Sequence, residues 1–156
     1  MAEINVGLIN PFLSAATGVI RDTCQVNLQI GKPFIKTTEF DESMVIIMIG
    51  ITGEIRGHVI IAIPYENALN IASKMMMGMP VTELDEMSVS AISELGNMIM
   101  GNAATLLSNN GIGIDITPPT LCEGKLSITQ AYAKNICVPL TADGVRIELD
   151  IAIKSE

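Results

Sequence analysis

The chain has 156 residues, 49% of them hydrophobic, and a net charge of −8; a single domain of that size buries roughly two-thirds of its unfolded surface. The charge and an isoelectric point near 4.5 exclude the clustered Lys and Arg that nucleic-acid or anionic-membrane binding needs, and 3% aromatics with no tryptophan exclude stacking platforms for single strands. Mean hydropathy is high at +0.45, yet charged residues, glycine or proline stop every apolar run short of the roughly 18 residues that would span a bilayer. Met1-Ala2-Glu3 has no basic character before the first apolar stretch, so the expectation is a cytoplasmic protein with an acidic surface suited to a partner bearing Lys or Arg.

In chain order, apolar residues at helical spacing lead to a first helix expected over about residues 10–23, with Pro11 tolerable only near its start or as a kink. Residues 32–39 read as a strand interrupted at Pro33, residues 43–51 as a β-branched-rich strand, and residues 55–63 as a third, with turns at Asp41-Glu42 and Gly53-Glu54. A second helix is expected over residues 65–77 with Gly78 as its stop. Beyond the third helix, residues 113–117 form a short strand before Pro118-Pro119, and residues 120–130 are loop or strand. Residues 134–141 and 145–154 make a hairpin around Asp143-Gly144, the dipeptide suited to positive backbone dihedrals.

The third helix, expected over residues 82–108, organises the rest. Thr82 followed by Asp85 is a start signal that makes Thr82 the expected N-cap, and Asn109-Asn110-Gly111 is the stop. At about 100° per residue, Leu84, Ala91, Ile92, Leu95, Met98, Ile99, Ala103 and Leu106 share an apolar face. Glu83, Glu86, Ser90, Glu94, Asn97 and Gly101 share a narrow polar stripe. A merely solvated face would carry Lys, Glu, Gln or Ala. Gly101 in the stripe costs roughly 1 kcal/mol relative to alanine, and Asn97 is a poor helix-interior residue. The pattern therefore reads as a docking surface that another molecule approaches closely.

The order Ser90-x3-Glu94-x2-Asn97-x3-Gly101-Asn102 resembles the signature of the CheC/CheX/FliY family of bacterial chemotaxis phosphatases, in which an Asp or Ser precedes the Glu by four residues and the Asn follows it by three. A single motif in a chain of this length is most like the CheX branch. The resemblance implies a pseudo-symmetric fold with two long helices on one side, homodimers, and action on the aspartyl phosphate of a CheY-type response regulator. A repeat is visible beneath it: residues 10–16 lie over residues 97–103 without a gap, and the 134–154 hairpin answers residues 43–63. A duplicated helix-plus-three-strand unit in an α+β architecture follows, with a mixed or antiparallel sheet and helices on one face. On the same overlay Glu94 falls opposite Gly7, so the first half keeps Asn10 but lacks the acid, and one site is expected.

Alone, Glu94 and Asn97 are a thin catalytic set. The sequence holds no HExxH, no GxxxxGK[ST] loop and no base placed to activate Ser90. Cys24, Cys122 and Cys137 lack CxxC spacing and read as buried thiols, and the lone His58 reads as structural or exposed. No metal or cofactor is expected in this chain; Mg2+ is expected in the partner regulator, together with a lysine. What that partner lacks is an in-line water. A neutral carboxamide can accept from and donate to one water, which assigns Asn97 to water orientation, while the resemblance assigns Glu94 to the regulator's lysine, with Ser90, Gly101 and Asn102 flanking the contact. Glu94 as general base ranks lower, since a carboxylate beside lysine is weakly basic. Two other classes compete: a non-catalytic module binding a regulator or flagellar switch component through the same helix, and a homo-oligomer interface with the acids at its rim.

Overall fold

The computed structural model describes residues 6–129 and 134–155. A long helix α1 (Val6–Cys24) is followed by three short strands, β1 (Gln29–Ile30), β2 (Phe34–Ile35) and β3 (Thr38–Phe40), and by a long hairpin, β4 (Met44–Gly53) and β5 (Ile55–Pro64). Helix α2 (Tyr65–Met75) leads to α3 (Glu86–Asn109), after which three short strands, β6 (Ile114–Ile116), β7 (Thr120–Glu123) and β8 (Leu126–Ile128), precede the second long hairpin, β9 (Ile136–Ala142) and β10 (Val145–Ser155).

The expected duplication is written in the sheet. Its order, β1-β9-β10-β5-β4-β6, reads the same from either end, and all its pairs are antiparallel; β3 and β8 form a separate two-stranded ladder. At the centre, His58 of β5 faces Ala152 while Glu148 of β10 faces Ala62, so His58 holds in one half the place that Glu148 holds in the other. Each half carries its long hairpin and three short strands, because Pro33 and Pro118-Pro119 break the leading segment into pieces. The reading of residues 120–130 resolves into β7 and β8, and the end of that segment at Gln130, like Met1 to Glu3 and Ile4, lies outside the described residues.

Strand alternation decides what each face buries. Val45, Ile47, Ile49 and Ile51 of β4, Val59, Ile61 and Ile63 of β5, and Ile147, Leu149 and Ile151 of β10 point into the core beneath the helices. Ile46, Ile60 and Ala62 point the other way, against Phe40. The β4–β5 hairpin is largely apolar on both faces and reads as a nearly continuous run of Ile and Val, whereas β10 alternates its core residues with Arg146, Glu148 and Asp150; each wholly buried Ile contributes on the order of 2 kcal/mol. No helix among the described residues is long and apolar enough to cross a membrane.

Several boundaries differ from the sequence expectation. Helix α1 covers Val6–Cys24, leaving Pro11 buried inside it, because Ile9, Phe12, Leu13 and Ala16 extend its packed face. Helix α2 ends at Met75, two residues early: Met77 at φ 61° and Gly78 at φ 86° both take positive dihedrals, and the Gly78 N–H closes the end on the Ser73 carbonyl at 2.8 Å. In the β9–β10 turn only Gly144 has a positive φ, 74°. His58 is buried, not exposed.

Candidate functional site

Helix α3 is fixed at both ends by its own sequence. The N-cap is Asp85, three residues later than Thr82: its carboxylate accepts from the Ser88 N–H at 2.9 Å, and Ser88 Oγ accepts from the Asp85 N–H at 2.8 Å. Those hydrogen bonds from Ser88 hold the exposed Asp85 carboxyl below its ordinary range. Residues 82–84 are used instead to cross from α2, with the Leu84 N–H donating to Tyr65 Oη at 3.3 Å. The expected stop is realised: Gly111 sits at φ 84° and the Ile112 N–H reaches the Leu107 carbonyl at 2.9 Å.

The inward face is Ile92, Leu95, Gly96, Ile99, Met100, Ala103 and Leu107. Met100 and Leu107 were not among the expected apolar positions, and Leu106, which was, is exposed; the face is rotated by about one residue because the helix seats on β4 through Gly96. A Cβ at Gly96 would lie 2.9 Å from Ile47 Cγ2, so glycine here permits close helix–sheet approach.

Rotation of the inward face leaves the polar stripe outside. Ser90, Glu94 and Asn97 are exposed, and Gly101 lies in open space, its hypothetical Cβ meeting nothing within 4 Å. Among the described residues the side chains of Glu94 and Asn97 make no hydrogen bond or ion pair. Their three-residue spacing puts the two Cβ atoms about 5–6 Å apart on one surface. Asn102 is also exposed, but at about 80° round the helix from Glu94 it flanks the stripe rather than belonging to it. Helix α1 presents Gly7, Asn10 and Ser14 in the corresponding exposed places, without an acid. Glu94 and Asn97 are thus a carboxylate and a carboxamide that the fold does not use, held rigidly by a helix whose buried face is packed on the sheet.

A second polar group, not anticipated from sequence, lies on the far face of the sheet. Lys36 Nζ donates to Glu148 Oε2 at 2.8 Å, with Arg146 3.4 Å from Glu148 Oε1. Burial alone pushes Glu148 up, but its bond to Lys36, the Lys36 charge and Arg146 bring it below its ordinary value. Burial likewise opposes the charge on Lys36, and Glu148 more than restores it. Asp150 is wholly buried beside the Cys137 thiol and Asn135 with no well-formed hydrogen bond to either oxygen; burial raises its pKa, and burial with the neighbouring acids raises that of Cys137. One ligand atom each of Cys137, Glu148 and Asp150 lie within 4.8 Å of one another, with the Lys36 ammonium already supplying a cation to Glu148. Cys24 is buried, as expected, and Cys122 half-buried.

The chain matches the family described as chemotaxis phosphatase CheX over residues 45–141, a span that contains the whole α3 stripe. It is 35% identical over 150 residues to the CheY-P phosphatase CheX of Thermotoga maritima, covering 95% of this chain and 96% of that one. A CheC-like superfamily protein from Shewanella sp. PV-4 superposes with a TM-score of 0.87 at 28% identity, over 97% of this chain and 100% of its own. A chain of the crystallised CheX–CheY–BeF3–Mg2+ complex of Borrelia burgdorferi superposes with a TM-score of 0.79 at 34% identity, over 97% and 100%.

Proposed function

The chain belongs to the chemotaxis phosphatase CheX family, and we propose that it hydrolyses the aspartyl phosphate of a CheY-type response regulator by inserting Asn97 and Glu94 from α3 into the regulator's own active site. The observation that carries this reading is the pair itself: two polar side chains one turn apart, exposed and free of internal partners among the described residues, beside a glycine that the packing does not require.

Phosphoryl transfer is catalysed mainly by positioning and electrostatics. The regulator contributes the phosphoryl group, a lysine and the Mg2+ that its chemistry needs; this chain contributes the order of the attacking water. The Asn97 carboxamide accepts one hydrogen bond from that water and donates another, fixing it behind the phosphorus without a change of charge. Glu94 pairs with the regulator's lysine and sets the helix in register, so that Asn97 arrives at the right depth. Ser90, Gly101 and Asn102 border the contact, and the missing side chain at Gly101 lets the regulator's backbone come close.

The test is the decay of a phosphorylated CheY-type regulator with wild-type protein, Glu94→Ala or Asn97→Ala. Both side chains are exposed, so the variants should fold normally. Acceleration by wild type that both substitutions abolish is the expected result. Acceleration surviving in Asn97→Ala would remove that residue from the reaction.

We also assign homodimerisation to the β1–β2 edge. Both strands pair with β9 at one end of the sheet, and Ile30, Phe34 and Ile35 are 50%, 44% and 55% exposed there. Helix α3 packs over β4, β6 and β7 at the other end, so a second copy on this edge leaves Glu94 and Asn97 accessible.

A further inference from the structure

Exposed large apolar side chains among the described residues gather in few places: Ile30, Phe34 and Ile35 on the β1–β2 edge, Met77 and Met79 in the connection after α2, and Met87 and Leu106 on α3. Met87 differs from the rest in where it points. At about 100° and 1.5 Å per residue it stands about 20° from Glu94 and about 10 Å from it along the axis, on the N-terminal side. Asn97 and Gly101 lie within about 80° of the same line, whereas Leu106 falls about 120° from Glu94. The exposed stripe therefore begins at an apolar residue and continues through Ser90, Glu94 and Asn97 to Gly101.

Nothing in the fold accounts for methionine at this position. Met87 is 60% exposed in the first turn of α3, where the helix dipole favours an acid or a polar residue and an apolar side chain gains nothing. Its neighbours Glu83, Asp85 and Glu86 are exposed acids. Specific interfaces bury roughly 800 Å² per partner around a few apolar or aromatic anchors, and methionine is enriched in their centres. A stripe of serine, glutamate, asparagine and glycine contains no such anchor.

We propose that Met87 is the apolar anchor by which α3 docks the phosphorylated receiver, a role that rests on the phosphatase reading and adds a specificity-determining residue to it. The partner it fits carries an apolar depression about 10 Å from the lysine that meets Glu94, rimmed by Lys or Arg facing the acids of the α3 start. The unbranched thioether can follow differently shaped depressions, so Met87 sets affinity and choice of receiver rather than the chemical step.

The experiment compares wild type, Met87→Gln and Met87→Leu in two assays: decay of the phosphorylated CheY-type receiver, and binding of the same receiver loaded with beryllium fluoride and Mg2+. Glutamine keeps the length of the side chain and suits an exposed helix position, so the melting temperature should not move. The expected result is a rise of about tenfold in both KM and Kd for Met87→Gln, with kcat within about twofold and recovery in Met87→Leu. Unchanged KM and Kd in Met87→Gln would overturn the proposal, as would a fall in kcat at constant KM. Binding that depends on Met87 without acceleration of decay would sink the phosphatase reading and leave the docking role standing. Acceleration indifferent to Met87 would do the reverse.

Discussion

Two glycines on α3 show how a single residue can be read only once its surroundings are known. Gly96 and Gly101 are equally unfavourable in a helix, yet a Cβ at Gly96 meets Ile47 Cγ2 at 2.9 Å and one at Gly101 meets nothing within 4 Å. Gly96→Ala should therefore destabilise the protein by roughly 1–3 kcal/mol through overpacking. Gly101→Ala should stabilise it by roughly 0.5–1 kcal/mol and at the same time weaken binding of the receiver. Chemical denaturation together with a binding titration reads both effects; a Gly101→Ala variant that gains stability and binds as well as wild type would remove the close-approach role. The misfit of Gly101 and Asn97 to a solvated helix face was legible in the sequence, because propensity is a property of the residue. The role of Gly96 was not, because it depends on a strand some 50 residues earlier in the chain. Met87 is illegible for a different reason: a docking stripe marked by polar residues gives no sign of an exposed apolar one.

At the scale of elements, periodicity located the helices and long strands, and their ends were decided by contacts. The start signal at Thr82 had the right chemistry three residues too soon; Asp85 caps α3 because Leu84 is held by Tyr65 at the start of α2. The polar group between the β2–β3 connection, β9 and β10 was invisible for the same reason, since Lys36 and Glu148 are far apart in sequence. Its two carboxylates should act oppositely with pH. Glu148 lies below its ordinary 4.5, so the stability it lends is present above that pH and is lost as pH falls through the folded value. Asp150 lies above its ordinary 3.8, so the folded chain keeps a proton that the unfolded chain releases; stability from this group is complete below pH 3.8 and declines as pH rises through the folded value. Asp150→Asn should abolish that decline and make the protein more stable than wild type near neutral pH, as judged by urea midpoints across a pH series. An Asn variant that follows the wild-type slope would show that Asp150 is charged in the folded state at no cost.

In the whole molecule, the duplication separates two tasks. The palindromic sheet supplies a rigid frame, one helix of the pair carries the acid and amide, and the other keeps only Asn10, with Gly7 in the place of the acid. The repeat and the fold class could both be drawn from the sequence because helix and hairpin recur in the same order. The edge that carries Ile30, Phe34 and Ile35 could not, since exposure is set by which strand ends the sheet. If that edge joins two copies, Phe34→Glu with Ile35→Lys should give a monomer by light scattering with turnover of the phosphorylated receiver retained. A dimer that persists would place the interface elsewhere.

On the proposal above, Asn97 orders the attacking water while the rest of the stripe docks the receiver. The most direct measurement is the decay rate of the phosphorylated receiver at saturating Asn97→Ala, with the affinity determined on the same sample. The expected result is a rate lowered by about 100-fold or more toward that of the receiver alone, with affinity unchanged. A rate equal to wild type at saturation would contradict it and move the catalytic role away from Asn97.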